Sequence, residues 1–342
     1  MPRQRNSNNR GLPPRSRWMN GAIRYQVPKG MEKYWDNKKQ FTLGYNIPEA
    51  FAEYARRVGP VKNVYTIGDL LARYYIEVSG KKPPNSLKND TKNYKQLIKV
   101  FDAVRLEDLT PQHIYQYIDY RDTKVSARRE KAMLSHAFTK AVEWGYINKH
   151  PFKGEVRLEG EKPRTRYVED WEIQEIMALK PKRAKDMTEF FQAYIGLKIL
   201  IGLRQGDLLK LPAYRGHIGD RIPLVTGKRS KKAVIEITQA VHEAMLACMK
   251  ARPVDIAPNL FCNRSGNEYT GDGFRSCWQR FMKQRVMKET KITEWFTEHD
   301  IRAKAGSDAE TDEQAQQLLT HDNVSTTKRA YRRQPTVIKS LK

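Results

Sequence analysis

The C-terminal half of this 342-residue sequence carries side chains of the types needed to work on a phosphodiester. His299 and Arg302 stand three apart in Glu298-His299-Asp300-Ile301-Arg302, so on a helix they share a face. A histidine there moves a proton while the arginine holds negative charge. Arg204 follows a long apolar run (Phe190 to Ile201) and a glycine, in Gly202-Leu203-Arg204-Gln205-Gly206-Asp207. Packing on both sides of such a junction fixes the arginine, whose planar fork matches phosphate oxygens. Asp207, one helical turn on, is expected to brace it. Pro223 to Ile237 reads as two β-prone runs about a basic turn. The tip of that hairpin presents Lys228, Arg229, Lys231 and Lys232, and it can bring one lysine to a phosphate or a leaving oxygen. Finally, Leu318 to Tyr331 gives an apolar helix end, a second histidine (His321), a turn, a new helix start and a tyrosine among cations. With an ordinary pKa of about 10, a tyrosine hydroxyl needs neighbouring help to become a nucleophile.

These residues fall in one block, 167–342, that mixes helix and strand. A polar, unperiodic connector (153–166) marks a boundary before it. The block at 63–152 reads as a four-helix bundle. Thr66 caps a helix bearing Leu70, Leu71, Tyr74 and Tyr75, and Ser86 or Asn89 opens one with Tyr94, Leu97, Ile98 and Phe101. Thr110-Pro111 starts a third and Ser126 a fourth, which ends at Gly145. Lys124, Arg128, Arg129 and Lys131 cluster where the fourth begins and are candidate phosphate contacts.

The block at 1–62 opens with a basic arm, expected to be disordered (Met1 to Arg17), and continues with short strands at Ala22 to Val27, Glu32 to Trp35 and Gln40 to Leu43. Gly30 and Asp36-Asn37 supply the turns, and a helix follows from Pro48 to Arg57. Arg24, Tyr25, Lys33, Tyr34, Trp35 and Lys39 mix cations with aromatics, as expected of a sheet that faces a DNA groove. The fold class is therefore multidomain and mainly α with small β-sheets.

Sixty-three Lys and Arg against 39 Asp and Glu give a net charge of +24, which calls for a polyanionic partner. No run of 18 apolar residues supports a membrane span, which leaves nucleic acid as that partner. The three cysteines, Cys248, Cys262 and Cys277, form no paired spacing and read as buried thiols in a reducing cytoplasm. A metal-dependent nuclease built on Glu298, His299 and Asp300 is a competing reading, but adjacent helical residues point in different directions and cannot converge on one ion. A catalytically silent DNA-binding protein is another.

Taken together, Gly202-Leu203-Arg204 with Asp207, the hairpin lysine Lys228, the His299-to-Arg302 box and the His321-to-Tyr331 box resemble the tyrosine recombinase (phage integrase) signature, in family order. The two upstream blocks resemble the core-binding and arm-binding DNA domains of the lambda-integrase type. The resemblance implies that Tyr331 attacks DNA to give a 3′-phosphotyrosyl link, with Arg204 and Arg302 neutralising the phosphate. Lys228 would protonate the leaving oxygen, His299 would act as base or donor, His321 would position the phosphate and Asp207 would orient Arg204. It further implies integration and excision of a mobile element without metal, ATP or other cofactor. The implied partners are double-stranded DNA with core-type and arm-type sites, a homotetramer, an excision factor and a host DNA-bending protein, in the cytoplasm and nucleoid of a bacterial host. Two positions depart from the family pattern. Thr320 stands where glycine usually precedes the histidine, and the Arg302-to-His321 interval is a few residues short.

Overall fold

The computed structural model describes residues 9, 11–29, 32, 35–58, 64–159, 163–182, 187–227 and 230–334. Gly30, Lys33, Tyr34, Lys228, Arg229 and the tail bearing Val337, Ile338 and Leu341 lie outside them. The chain forms two compact units, Met1–Glu161 and Lys162–Lys342.

The first unit begins with an antiparallel sheet in the order β1-β2-β3, made of Ser16–Met19, Ala22–Gln26 and Gln40–Gly44. This differs from the expected strands. Ser16–Met19 is a strand not among those expected, because Asn20-Gly21, both with positive φ, closes a two-residue hairpin that pairs Met19 with Ala22. Asp36 and Asn37 do form a left-handed turn, and Trp35 enters that turn rather than a strand. The described part of the basic arm is partly built into the unit: Leu12 is buried, and Tyr94 donates to the Gly11 carbonyl at 3.0 Å.

Helix α1 (Ile47–Val58) follows, then the bundle of α2 (Ile67–Glu77), α3 (Pro84–Phe101), α4 (Pro111–Tyr120) and α5 (Lys124–Glu143). Thr66 and Asp69 make a reciprocal capping box at α2, and Thr110 with Pro111 starts α4 as expected. Helix α3 opens earlier than expected, at Pro84, because Pro at the first helical position needs no amide partner.

Among the described residues, one hydrophobic cluster joins the sheet and α1 to the bundle. Phe51 of α1 meets Tyr75 and Tyr94, with ring centroids 5.3 and 5.7 Å apart, and all three belong to one hydrophobic cluster running from Leu12 to Val156. Tyr25, expected to face DNA, is instead buried. It stacks on Trp35 at 4.4 Å and meets Tyr54 edge-on at 5.7 Å.

The second unit contains α6 (Asp170–Ala178), α7 (Met187–Ile201), α8 (Gln205–Leu208), the hairpin β4 (Arg221–Val225) and β5 (Lys232–Glu236), and α9 (Gln239–Lys250). It continues with α10 (Gly271–Phe281), a π-turn leading into α11 (Met287–Glu289), α12 (Glu298–Asp308), α13 (Asp312–Leu318) and α14 (Val324–Ala330). Helix α7 buries residues on most of its circumference and packs on α9, α10 and α12, which makes it the axis of this unit.

Trp35→Ala removes the ring that closes the sheet over Tyr25 and Phe41. It is expected to destabilise the first unit by about 3–5 kcal/mol, read as a lower denaturant midpoint. An unchanged midpoint would show that Trp35 contributes no core packing.

Candidate active site

Arg302 is fully buried on α12, and its hydrogen bonds among the described residues go to neutral acceptors. It donates to the carbonyl of Gly202 at the end of α7, to the carbonyl of Leu319 at the end of α13, and to Nε2 of His321 at 3.3 Å. Its Nε–H is buried without a partner. Burial, with the charge of Arg204 adding to it, pulls the guanidinium down to about 10, while Tyr331 favours the charged form. An internal cation that has no carboxylate hydrogen-bonded to it among the described residues can take up an anion.

Arg204 caps α8 and sends Nη1 to Thr320 Oγ1 at 3.2 Å. Gly202, two residues earlier, has φ +57°, and a side chain there would stand 2.9 Å from Leu318 Cγ. Glycine therefore lets α7 stop, turn and present its carbonyl to Arg302 in one step.

His321 follows α13, which has only seven residues. The short interval from Arg302 is taken up by that short helix, and the histidine still reaches the arginine. Because Nε2 accepts from Arg302, the imidazole proton belongs on Nδ1, which donates to buried Thr327 Oγ1 at 2.9 Å. Burial first, then Arg302, Arg204 and Lys231, push the ring to about 4, so it is neutral at pH 7. Thr327 is a contributor that sequence reading did not single out, although it lies in the Ser325-Thr326-Thr327 run.

Tyr331 ends α14, and its hydroxyl lies 3.2 Å from His299 Nε2. The ring packs against His321 at 4.6 Å and lies 5.7 Å from the Arg302 guanidinium. His299 keeps an open edge to solvent, yet desolvation by its surroundings lowers its pKa, with Lys198 and Arg302 acting the same way against Glu298. A neutral imidazole can accept the tyrosine proton.

The residues after Tyr331 pin it. Arg333 donates to buried Asp300 at 2.6 Å and to the Arg166 carbonyl at 2.8 Å, and Ser307 donates to the Tyr331 carbonyl. Arg332 reaches the Ser307 carbonyl at 3.0 Å and pairs with Asp312 at 3.1 Å. These anchors also escaped sequence reading, since an arginine after a tyrosine carries no signal until the fold places an aspartate beneath it.

Asp207 departs from its expected role. Its Oδ1 accepts the Gly227 amide at 2.7 Å, and Oδ2 is buried without a partner, so it holds the hairpin rather than the Arg204 guanidinium. Lys231, expected on DNA, pairs with Asp322 beside His321, while Lys232 is exposed. The hairpin is thus tethered on both sides of its tip. Lys228 and Arg229 lie between these tethers, outside the described residues.

The nuclease triad does not assemble. Glu298 pairs with fully buried Lys198, Asp300 with Arg333, and His299 faces Tyr331.

Among the other candidate DNA contacts, Lys39 and Arg129 are exposed and Arg24 and Arg128 half-buried. Lys124 donates to the Ile118 and Asp119 carbonyls and so finishes α4, and Lys131 lies over the Phe152 ring.

The phage integrase family model matches residues 166–336, which is half of the chain and holds Arg204, His299, Arg302, His321 and Tyr331. The chain belongs to the phage integrase family. No curated protein sequence matches it.

Among solved structures, a lambda integrase dimer bound to a COC′ core site superposes with a TM-score of 0.63 at 20% identity, covering 98% of this chain and 99% of that one. A Tn1549 transposon integrase in complex with circular intermediate DNA gives 0.60 at 15% identity, covering 77% and 94%. The XerH site-specific recombinase bound to palindromic difH substrate gives 0.53 at 14%, covering 82% and 78%. Family and fold together place the chain among the site-specific tyrosine recombinases.

His321 is neutral when folded and titrates near 6.5 when unfolded, so the unfolded chain takes up more protons as the pH drops. Its contribution to stability is therefore present above about 6.5 and is lost as pH falls toward about 4. The stability gap between wild type and His321→Gln should narrow from pH 7 to pH 4 in denaturant titrations. A gap that widens would mean the histidine is charged in the fold.

Proposed function

We propose that this recombinase integrates and excises a mobile DNA element through a 3′-phosphotyrosyl intermediate. The observation that carries this reading is the Tyr331 hydroxyl, held 3.2 Å from His299 Nε2 beside a buried arginine whose Nε–H lacks a partner. Tyr331 attacks the scissile phosphorus, its Oη–P bond forms as the P–O5′ bond breaks, and His299 Nε2 takes the phenolic proton. The orphan donor of Arg302 and the fork of Arg204 take the non-bridging oxygens, where charge grows in the transition state. Lys228, on the tethered hairpin, gives the 5′ oxygen its proton. His321, locked between Arg302 and Thr327, fixes the guanidinium plane. The phosphotyrosyl bond conserves the energy of the broken one, so rejoining runs by reversal and needs no ATP.

DNA is the substrate that fits a charge of +24. A homotetramer on core-type sites, an excision factor and a host bending protein complete the proposal. An element integrase is favoured over a resolvase by the N-terminal sheet, whose outer face pairs exposed Arg17 with Arg24 across β1 and β2. That arrangement suits an arm-type duplex.

On a nicked suicide duplex built from the DNA flanking the gene, wild type should form a covalent adduct and Tyr331→Phe none. No wild-type adduct on a bound cognate site sinks the enzyme reading in favour of a silent binder. Replacing both Arg17 and Arg24 by alanine should weaken binding to an arm-type duplex and reduce the salt slope by about two, roughly one phosphate contact each. An unchanged affinity and slope would remove the sheet from the DNA interface.

A further inference from the structure

Thr320 occupies a backbone position for which threonine is a poor choice. Helix α13 closes in a Schellman turn: the Thr320 amide donates to the Gln317 carbonyl at 2.9 Å and the His321 amide to the Gln316 carbonyl at 3.0 Å. The residue after the cap in this turn must be left-handed, and Thr320 has φ +50°. Glycine adopts that conformation freely, asparagine tolerates it, and a β-branched residue is strained there. Nothing in the turn's own hydrogen bonds uses the threonine side chain, so its presence needs another explanation.

That explanation lies across the site. The Thr320 hydroxyl accepts from Arg204 Nη1 at 3.2 Å. The neighbouring carbonyl, Leu319, accepts from Arg302, and the next side chain, His321, accepts from Arg302 as well. One turn at the end of α13 therefore supplies acceptors to both arginines. Left alone the two guanidinium groups repel, as the effect of Arg204 on Arg302 shows. The carboxylate nearest in sequence, Asp207, is committed to the hairpin.

We propose that Thr320 is a positioning residue for Arg204: its hydroxyl holds the guanidinium in the phosphate site against repulsion from Arg302, and the strained backbone is retained for that contact. This rests on the recombinase reading above. Thr320 touches no reacting atom in the scheme and acts only through Arg204.

The test is adduct formation on the same nicked duplex at saturating protein, with DNA affinity and thermal unfolding measured in parallel. Thr320→Val keeps the shape and the branch but loses the acceptor. It should slow adduct formation about 10- to 100-fold, the loss expected when one charge-assisted contact to a transition-state group is misaligned, while Kd stays within about twofold. Thr320→Ser should recover most of the rate. Thr320→Gly, relieved of strain, should melt higher than wild type and still cleave slowly, a combination that a purely structural role does not produce. The Thr320→Val, Arg204→Lys double variant should be no slower than Arg204→Lys alone, because both lesions act through one group.

Wild-type rates in Thr320→Val or Thr320→Gly, or losses that multiply in the double variant, overturn the proposal. If Thr320→Val fails to fold, Thr320→Gly carries the decision. An inactive wild type sinks the recombinase reading itself, whereas an active wild type with an equally active Thr320→Gly sinks only the role of Thr320.

Discussion

The buried guanidinium of Arg302 organises the second unit. Removing the Arg302 guanidinium from water costs on the order of several kcal/mol, and a protein usually recovers that with a carboxylate. Here the recovery comes from two backbone carbonyls and an imidazole. Those acceptors are the C-terminal end of α7, the C-terminal end of α13 and the residue that follows it, so the site cannot form until three separate stretches of chain converge. The residual positive charge is what a phosphate would complete. The same convergence explains why α13 must be short, why Gly202 must turn without a side chain, and why His321 is held neutral beside two arginines.

Around that centre the ion pairs divide the work. Glu298 with Lys198, and Asp300 with Arg333, flank His299 on α12 and tie the helix to α7 on one side and to the post-tyrosine segment on the other. Both carboxylates are thereby committed to partners other than Arg204 and Arg302. Asp207 and Asp322 hold the two flanks of the hairpin, through the Gly227 amide and the Lys231 ammonium. Tyr331 gains from the Asp300–Arg333 pair as well, because a tyrosine at the end of a seven-residue helix would otherwise sample many positions.

Much of the site was legible because its chemistry is local in sequence. His299 and Arg302 share a helix, the hairpin announces itself by alternating β-prone residues, and α7 shows as an apolar run. The misreadings have physical causes. Tyr25 and Trp35 looked like a wet face because aromatic-cation mixtures mark both DNA surfaces and small cores, and only packing separates the two. The hairpin at Asn20-Gly21 was hidden because basic composition ahead of it suggested disorder. Helix α12 buries Asp300, Arg302, Lys304 and Ser307, a pattern that no hydrophobic periodicity reveals.

By itself the sequence determined the helical bundle, the hairpin, the caps at Thr66 and Thr110, and the inventory of two arginines, two histidines and a tyrosine, because each depends on residues a few positions apart. The tertiary structure alone decided that Arg302 is internal, that Asp207 serves the hairpin, that Arg333 anchors Tyr331, and that the hydroxyl of Thr320 meets Arg204. Those contacts join residues between 17 and 116 positions apart. Their partners become neighbours only when α7, α12 and α13 pack together.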